Sequence, residues 1–272
     1  MVFEYLINPQ RAEKKPWQLF FMGLFYPSLA ILLSLWVFKS YISINMIALT
    51  TMAALPLIYN SIKDEEQKDF IFKNERLRLR SHSKVLSYYL FLFLGMVVAF
   101  ALWYAYTPPD LTYDIFNAQE ATITDINAPV GYAISASEYM GTVFFHNSKV
   151  LLFCLIFSLF FGAGAIYILT YNASVIGTAV GMFMKQNIGA AHSLTGLSYG
   201  LLRYLPHGVL EITGFFLGGL AGGIVSIAII HHDFQSDKFK IVLKDSLHLI
   251  FLAFVFLFLA AMTEVYITPL FY

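Results

Sequence analysis

Apolar runs about the length of one membrane crossing recur along this sequence. A helix needs about 20 apolar residues to cross roughly 30 Å of hydrocarbon. Six runs meet that length: 17–38, 42–62, 86–106, 150–170, 205–230 and 247–267. The pattern therefore predicts an all-α, polytopic bundle of transmembrane helices.

Basic residues are concentrated in alternate connections between these runs. Arg11, Lys14 and Lys15 precede the first run, and seven Lys or Arg residues lie in 63–84. Residues 107–148 contain five acidic residues and no Lys or Arg. Because Lys and Arg in short loops stay in the cytoplasm, we expect the N-terminus and 63–84 inside, with 107–148 as an external loop.

A shorter apolar run, 173–184, decides the number of crossings. It lies between a turn predicted at 171–172 and the basic loop after Ile230, both expected in the cytoplasm, so the chain must cross an even number of times between them. Either 173–184 crosses with help from the following residues, or 173–204 enters and leaves on one side. We favour the crossing, which gives seven crossings and an external C-terminus.

The polar connections complete the predicted organisation. Residues 185–204 mix polar and apolar side chains, and we expect an interfacial helix or loop there because those polar groups are costly against lipid. The chain is predicted to be one integral membrane domain, with a helical pair and cytoplasmic loop in 1–85 and a helical core in 86–272.

Composition agrees with lipid as the main solvent. Charged residues make up 12% of the chain and apolar residues 58%, against about 25% and 45–50% in a soluble domain. The 17 basic and 17 acidic residues balance, and no basic patch is interleaved with aromatics, so we expect no nucleic-acid partner. We expect membrane lipid around the chain.

Glycine is distributed unevenly, with 13 of 17 residues between positions 162 and 223. Small residues four apart let helix backbones approach closely within a membrane. This spacing predicts a tightly packed, glycine-rich C-terminal core and makes other membrane proteins, or further copies of the chain, candidate partners for the glycine-rich helices. The packing candidates are Gly177, Gly181, Gly214, Gly218 and Gly222.

A polar pair opens the run 205–230, the sixth predicted crossing. Pro206 suits the first turn of a helix, so we expect a helix to begin close to His207. His207 and Glu211 are four residues apart and share a face with Gly214 and Gly218, which predicts that the pair points toward other helices. Glu211 then needs a polar partner, and His207, Asn172, Ser174 and Arg203 are the candidates.

Other polar residues in or near the crossings are Asn147, Asn172 and Glu264. Asn172 is predicted to cap the helix that follows it, and Glu264 lies near the outer end of the last crossing. A His-xxx-Glu pair can contribute to a metal site, but zinc needs three or four ligands, and none is evident. We find no nucleophile motif and no phosphate-binding loop, so no catalytic residue, metal or cofactor is predicted.

Two stretches resemble the family of stage II sporulation protein M. They are 144–177, with Asn147, Asn172 and Gly177, and 205–211, in which Pro206-His207-Gly208 is followed by Glu211. The resemblance covers roughly residues 90–270, and residues 8–17 look like archaeal members. It implies a membrane protein that is not an enzyme, since sporulation members belong to a membrane complex that recruits cell-wall-degrading enzymes.

The sequence leaves three functions open. A scaffold or assembly component of a membrane complex agrees with the resemblance and with the absence of catalytic motifs. A transporter or channel requires a solvated path lined by Glu211, His207, Asn172 and Glu264. An intramembrane metal-dependent hydrolase requires a third ligand near His207.

Overall fold

The computed structural model describes residues 15–71, 75–127, 135–161, 164–187, 193–231 and 236–271. Within these ranges it does not describe the side chains of 69–71, 75–80, 125–127, 161, 187, 193–205 and 271. The described residues form eight α-helices and no strand, which confirms the all-α prediction.

The helices follow one another with short connections. They are α1 (Gln18–Leu33), α2 (Ile42–Ile71), α3 (Glu75–Tyr106), α4 (Pro109–Asn127), α5 (Ala136–Phe161), α6 (Ala165–Asn187), α7 (Ser193–His231) and α8 (Asp237–Met262). A π-helical turn, Ser34–Phe38, extends α1, and a second one, Thr263–Ile267, extends α8 into a final 3₁₀ turn, Thr268–Phe271.

Seven of these helices are long and apolar enough to cross a membrane, all except α4. The predicted number of crossings is therefore confirmed. The short run 173–184 is the centre of α6, whose apolar stretch extends over Ala165–Gln186. Crossing by α6 thus needs no help from the residues after 187.

The turn between the fourth and fifth crossings lies earlier than predicted. The apolar run 150–170 belongs to two helices, because α5 ends at Phe161 and α6 begins at Ala165. Gly164 stands between them, and a Cβ at that position would lie 2.3 Å from the Phe157 carbonyl oxygen. Only glycine allows the chain to turn this close to its own helix.

The two long connections are mostly helical, which corrects the loop predictions. Helices α2 and α3 continue past the membrane to Ile71 and from Glu75, because Glu, Lys, Gln and Arg are good helix formers once they reach water. Residues 107–148, which were predicted to be an external loop, contain all of α4 and the first turns of α5. The apolar stretch of α5, Ala136–Phe160, begins within these residues.

Helix α4 folds back along α6 in the opposite direction. Its polar contacts move toward the N-terminus of α6 as α4 proceeds: Thr112 with Lys185 (2.8 Å), Gln119 with Ser174 (3.2 Å) and Thr122 with Tyr171 (2.7 Å). The Gln119 amide also donates to the Ser43 carbonyl of α2. The acidic segment is therefore fastened to the bundle.

Helix α7 lies at the centre of the bundle. In its membrane-spanning stretch 83% of the residues are buried, against 33% in α1, 22% in α5 and 28% in α8. A hydrophobic helix that is buried all round is a core helix. The flanking helices turn apolar side chains outward, as lipid allows.

Candidate functional site

The polar pair of α7 lies inside a helix. Helix α7 begins at Ser193 and continues through Pro206, so the prediction that the helix starts near His207 was wrong. Of the segment predicted to be an interfacial helix or loop, residues 193–204 are helical and precede the apolar stretch Pro206–His231. Proline fits the helical φ, and the effects of its missing N–H and of its ring are confined to the turn before it. The helix can therefore continue on the N-terminal side of that turn.

Glu211 faces α5 and the end of the chain. The side-chain amide of Asn147, on α5, lies beside the Glu211 carboxyl. The Glu264 carboxyl lies close enough for the two negative charges to repel each other. Asn147 is 5% exposed, and its amide offsets part of the cost of burying a carboxyl group.

Glu264 and His207 complete this polar group. The Tyr139 hydroxyl donates to Glu264 over 3.1 Å, and His207 Nδ1 lies 3.3 Å from the Thr268 hydroxyl. Glu211 therefore has a polar neighbour, Asn147, that was not among its predicted partners. We call the group Asn147, His207, Glu211 and Glu264 the α5–α7–α8 polar group. It joins three parts of the fold that are far apart in sequence.

Asn172 does not join this group. Asn172 lies inside α6 and donates to the carbonyl of Ile168, 2.8 Å away on its own helix. It cannot cap a helix there, because α6 has already begun at Ala165. The Arg203 side chain lies outside the described residues, so its predicted contact with Glu211 stays a prediction.

The predicted packing glycines all face other helices of the chain. A Cβ at Gly177 or Gly181 would collide with α3, one at Gly214 with α8, and one at Gly218 or Gly222 with α5. Among the described glycines, the closest approach to the backbone of another helix is in the N-terminal half, where Gly23 crosses Gly95, a pair that sequence spacing does not reveal. A Cβ on Gly95 would lie 2.1 Å from the Phe20 carbonyl oxygen.

A second polar cluster was missed by the sequence analysis. His82, on α3, stands between two carboxyl groups: its Nδ1 lies 2.9 Å from Glu65 on α2, and its Nε2 lies 2.7 Å from Asp245 on α8. All three side chains are 2% exposed or less. Ser81 and Lys68 also donate to Glu65. We call Glu65, His82 and Asp245 the three-helix ion cluster.

The arrangement of this cluster sets a minimum number of protons. Each His–carboxyl contact needs a hydrogen on one of its two atoms, so the three groups together hold at least two. An imidazolium between two carboxylates satisfies both contacts and balances one negative charge, and Lys68 balances the other. The cluster thus joins the ends of α2, α3 and α8 with little uncompensated charge.

Helical periodicity was the signal that could have found this cluster. Asp245 follows Val242 by three residues and precedes Leu249 by four, and both neighbours are buried, so it lies on the inward stripe of α8. Glu65 is likewise four residues after the buried Ser61. Because 63–84 was predicted to be a cytoplasmic loop, the burial of Glu65 was not expected.

Neither polar group forms a metal-ligand shell in the part of the chain that the structure describes. In the described ranges, no three His, Cys, Asp or Glu side chains are arranged to hold a metal ion. A cavity of about 20 Å³ lies beside Ile62, Leu169, Phe216 and Gly219. It is almost wholly apolar, and such cavities stay dry.

Comparison with known proteins matches one family to the region that contains the α5–α7–α8 polar group. The family model described as Stage II sporulation protein M matches residues 89–269, about two thirds of the chain. The match includes Asn147, His207, Glu211 and Glu264, and it stops short of Glu65 and His82. No significantly similar curated protein or solved structure was found.

Proposed function

Because the chain belongs to the stage II sporulation protein M family, we propose that it is a non-enzymatic scaffold, an assembly component of a membrane complex. That family is not a known enzyme family. The role that we propose is to hold partner proteins at the membrane, with catalysis left to those partners.

The burial of α7 is the observation that carries this proposal. The helix with the family's Pro-His-Gly-x-x-Glu pattern is the most enclosed one, and its polar side chains contact α5 and the last turns of the chain. These contacts join helices to one another. Because these contacts hold the helices in place, the apolar outer surface of the bundle keeps one shape to which neighbouring proteins can bind.

The outer helices supply those surfaces. The glycines that we expected to bind partners are covered by other helices of the same chain, so partners bind elsewhere in this proposal. Helices α1, α5 and α8 expose large apolar side chains, among them Phe21, Phe153 and Phe251 at 56%, 57% and 68%. Lipid and partner helices share these faces.

Isolation of the chain from its own membranes tests the proposal. After extraction in a mild detergent, we expect the chain to elute with at least one other membrane protein in a constant ratio. The same chain produced alone in foreign membranes should elute without it and thus serves as the control. Elution as a free chain from its own membranes, across several detergents, would contradict the scaffold role.

A transport function is the second candidate, because Glu211 and Glu264 place two close carboxyl groups inside membrane-spanning helices. Intramembrane carboxyl groups mark ion and proton pathways in many proteins. If the purified chain alone carries a proton or sodium flux in proteoliposomes, and Glu211→Gln abolishes it while the variant still folds, transport replaces the scaffold role. With no flux in the wild type, the scaffold proposal stands.

The orientation that we propose has the N-terminus in the cytoplasm and the C-terminus outside the cell membrane. With Cys154 replaced by alanine, we expect a membrane-impermeant maleimide to label Asp114→Cys and Leu270→Cys on intact cells. Lys240→Cys should react only after permeabilisation. All three side chains are exposed, so access depends on the side of the membrane. The reverse pattern would invert the topology.

A further inference from the structure

One face of α5 is exposed from Phe145 to Phe160 and carries basic residues between apolar ones. Its members recur at helical spacing, so they form one stripe. We call this stripe the α5 outer face; it consists of Phe145, His146, Lys149, Leu152, Phe153, Ile156 and Phe160, all of which are exposed.

The length of α5 places Lys149 well inside the hydrocarbon. Taking Phe161 as the inner end, the roughly 20 residues that a crossing needs reach back to about residue 142. Lys149 is then about 10 Å below the outer boundary at a rise of 1.5 Å per residue. The four-carbon stem of lysine is shorter than this depth, so the ammonium group cannot fully leave the hydrocarbon.

The chain itself does not compensate this charge. Neither Lys149 nor His146 makes a hydrogen bond or ion pair with another residue in the described ranges, whereas the carboxyl groups of the polar clusters are paired inside the bundle. Ionisable side chains within membranes are almost always paired or face the protein interior. An exposed lysine at this depth therefore indicates a face that another molecule covers.

A second copy of the chain is a poor occupant of this face. Symmetric pairing through the same stripe brings Lys149 against Lys149, and like charges repel strongly where water is scarce. Pairing with another face needs an exposed carboxylate at the same depth. The described carboxyl groups in the crossings that could reach it, Glu211 and Glu264, point into the bundle.

We propose that the α5 outer face binds a membrane-spanning helix of a different protein, and that this helix presents a carboxylate opposite Lys149. The inference rests on the proposed scaffold function and names its docking surface. The exposed Phe153 and Ile156 pack against apolar side chains of the partner, and the ion pair sets the register between the two helices.

Photocrosslinking in the protein's own membranes tests the surface. With p-benzoylphenylalanine in place of Phe153, we expect one crosslinked product that contains a second membrane protein. Lys149→Gln and Lys149→Glu should each reduce it about tenfold or more, whereas Lys240→Glu should not. The same probe in place of Phe251, on α8, is the control for unselective capture. Exchanging the partner's acidic residue for lysine should restore the product of Lys149→Glu.

Three results would overturn the inference. They are crosslinks to lipid alone, a product with twice the mass of the chain, and a protein product that Lys149→Glu leaves unchanged. If any of them occurs while the complex still elutes from native membranes, this surface is wrong and the scaffold function stands. If neither experiment finds a partner, both proposals fail.

Discussion

Replacing Asp245 by alanine is expected to lower the free energy of unfolding in detergent by about 3–5 kcal/mol. Removing one partner of a buried ion pair leaves the other charge buried without compensation, and such changes cost this much in other proteins. In this chain the His82 imidazole would lose a contact of 2.7 Å. Unfolding monitored by circular dichroism during titration with a denaturing detergent measures the effect.

Asp237→Ala provides the matched control, because Asp237 is in the same helix and also forms an ion pair. Its partner is Lys240 and its side chain is 94% exposed, so we expect little change in stability. The double variant His82→Leu, Asp245→Leu should lose less stability than the sum of the losses of the single variants His82→Leu and Asp245→Leu. Equal losses for Asp245→Ala and Asp237→Ala would show that the three-helix ion cluster does not stabilise the fold.

Replacing Gly95 by alanine is expected to cost about 3 kcal/mol, the upper part of the usual range for overpacked positions. The added Cβ would lie 2.1 Å from the Phe20 carbonyl oxygen and 2.9 Å from the Gly23 Cα. Both neighbours are backbone atoms, so α1 and α3 must move apart along their contact. The same detergent titration measures the loss.

Two other glycines separate this effect from the general effect of alanine. A Cβ at Gly208 meets no atom of a neighbouring element within 4 Å, so Gly208→Ala should leave stability nearly unchanged. At Gly218 the nearest atom is a terminal methyl group of Leu151, which can rotate away. If Gly218→Ala destabilises the protein more than Gly95→Ala does, the α1–α3 crossing is not the tightest contact.

The number of membrane-crossing helices could be predicted because the membrane imposes their length. Hydrocarbon of fixed thickness demands apolar runs of fixed length, and six such runs and a shorter seventh are legible in the sequence. Helix ends were harder to place. The run 150–170 is apolar on both sides of the turn at Gly164, so hydropathy cannot show where α5 stops and α6 starts.

Which residues make up each polar group depends on contacts between helices, and these contacts could not be predicted from the sequence. His207 and Glu211 could be assigned to one face of a helix, since that is a matter of spacing. Their partners could not be assigned, because Asn147 and Glu264 come from α5 and from the turn after α8. The stretch around Lys63 was treated as a loop for its charge, which hid the inward stripe that carries Glu65.

The three-helix ion cluster also sets an order of assembly. His82 and Asp245 are 163 residues apart, so at about 5–20 residues per second a ribosome delivers the aspartate roughly 8–30 s after the histidine. Throughout that interval the contact between Glu65 and His82 has no counterpart from α8, although water and lipid headgroups can reach it near the membrane surface. The cluster therefore stays incomplete after α2 and α3 have been synthesised, until α8 supplies Asp245.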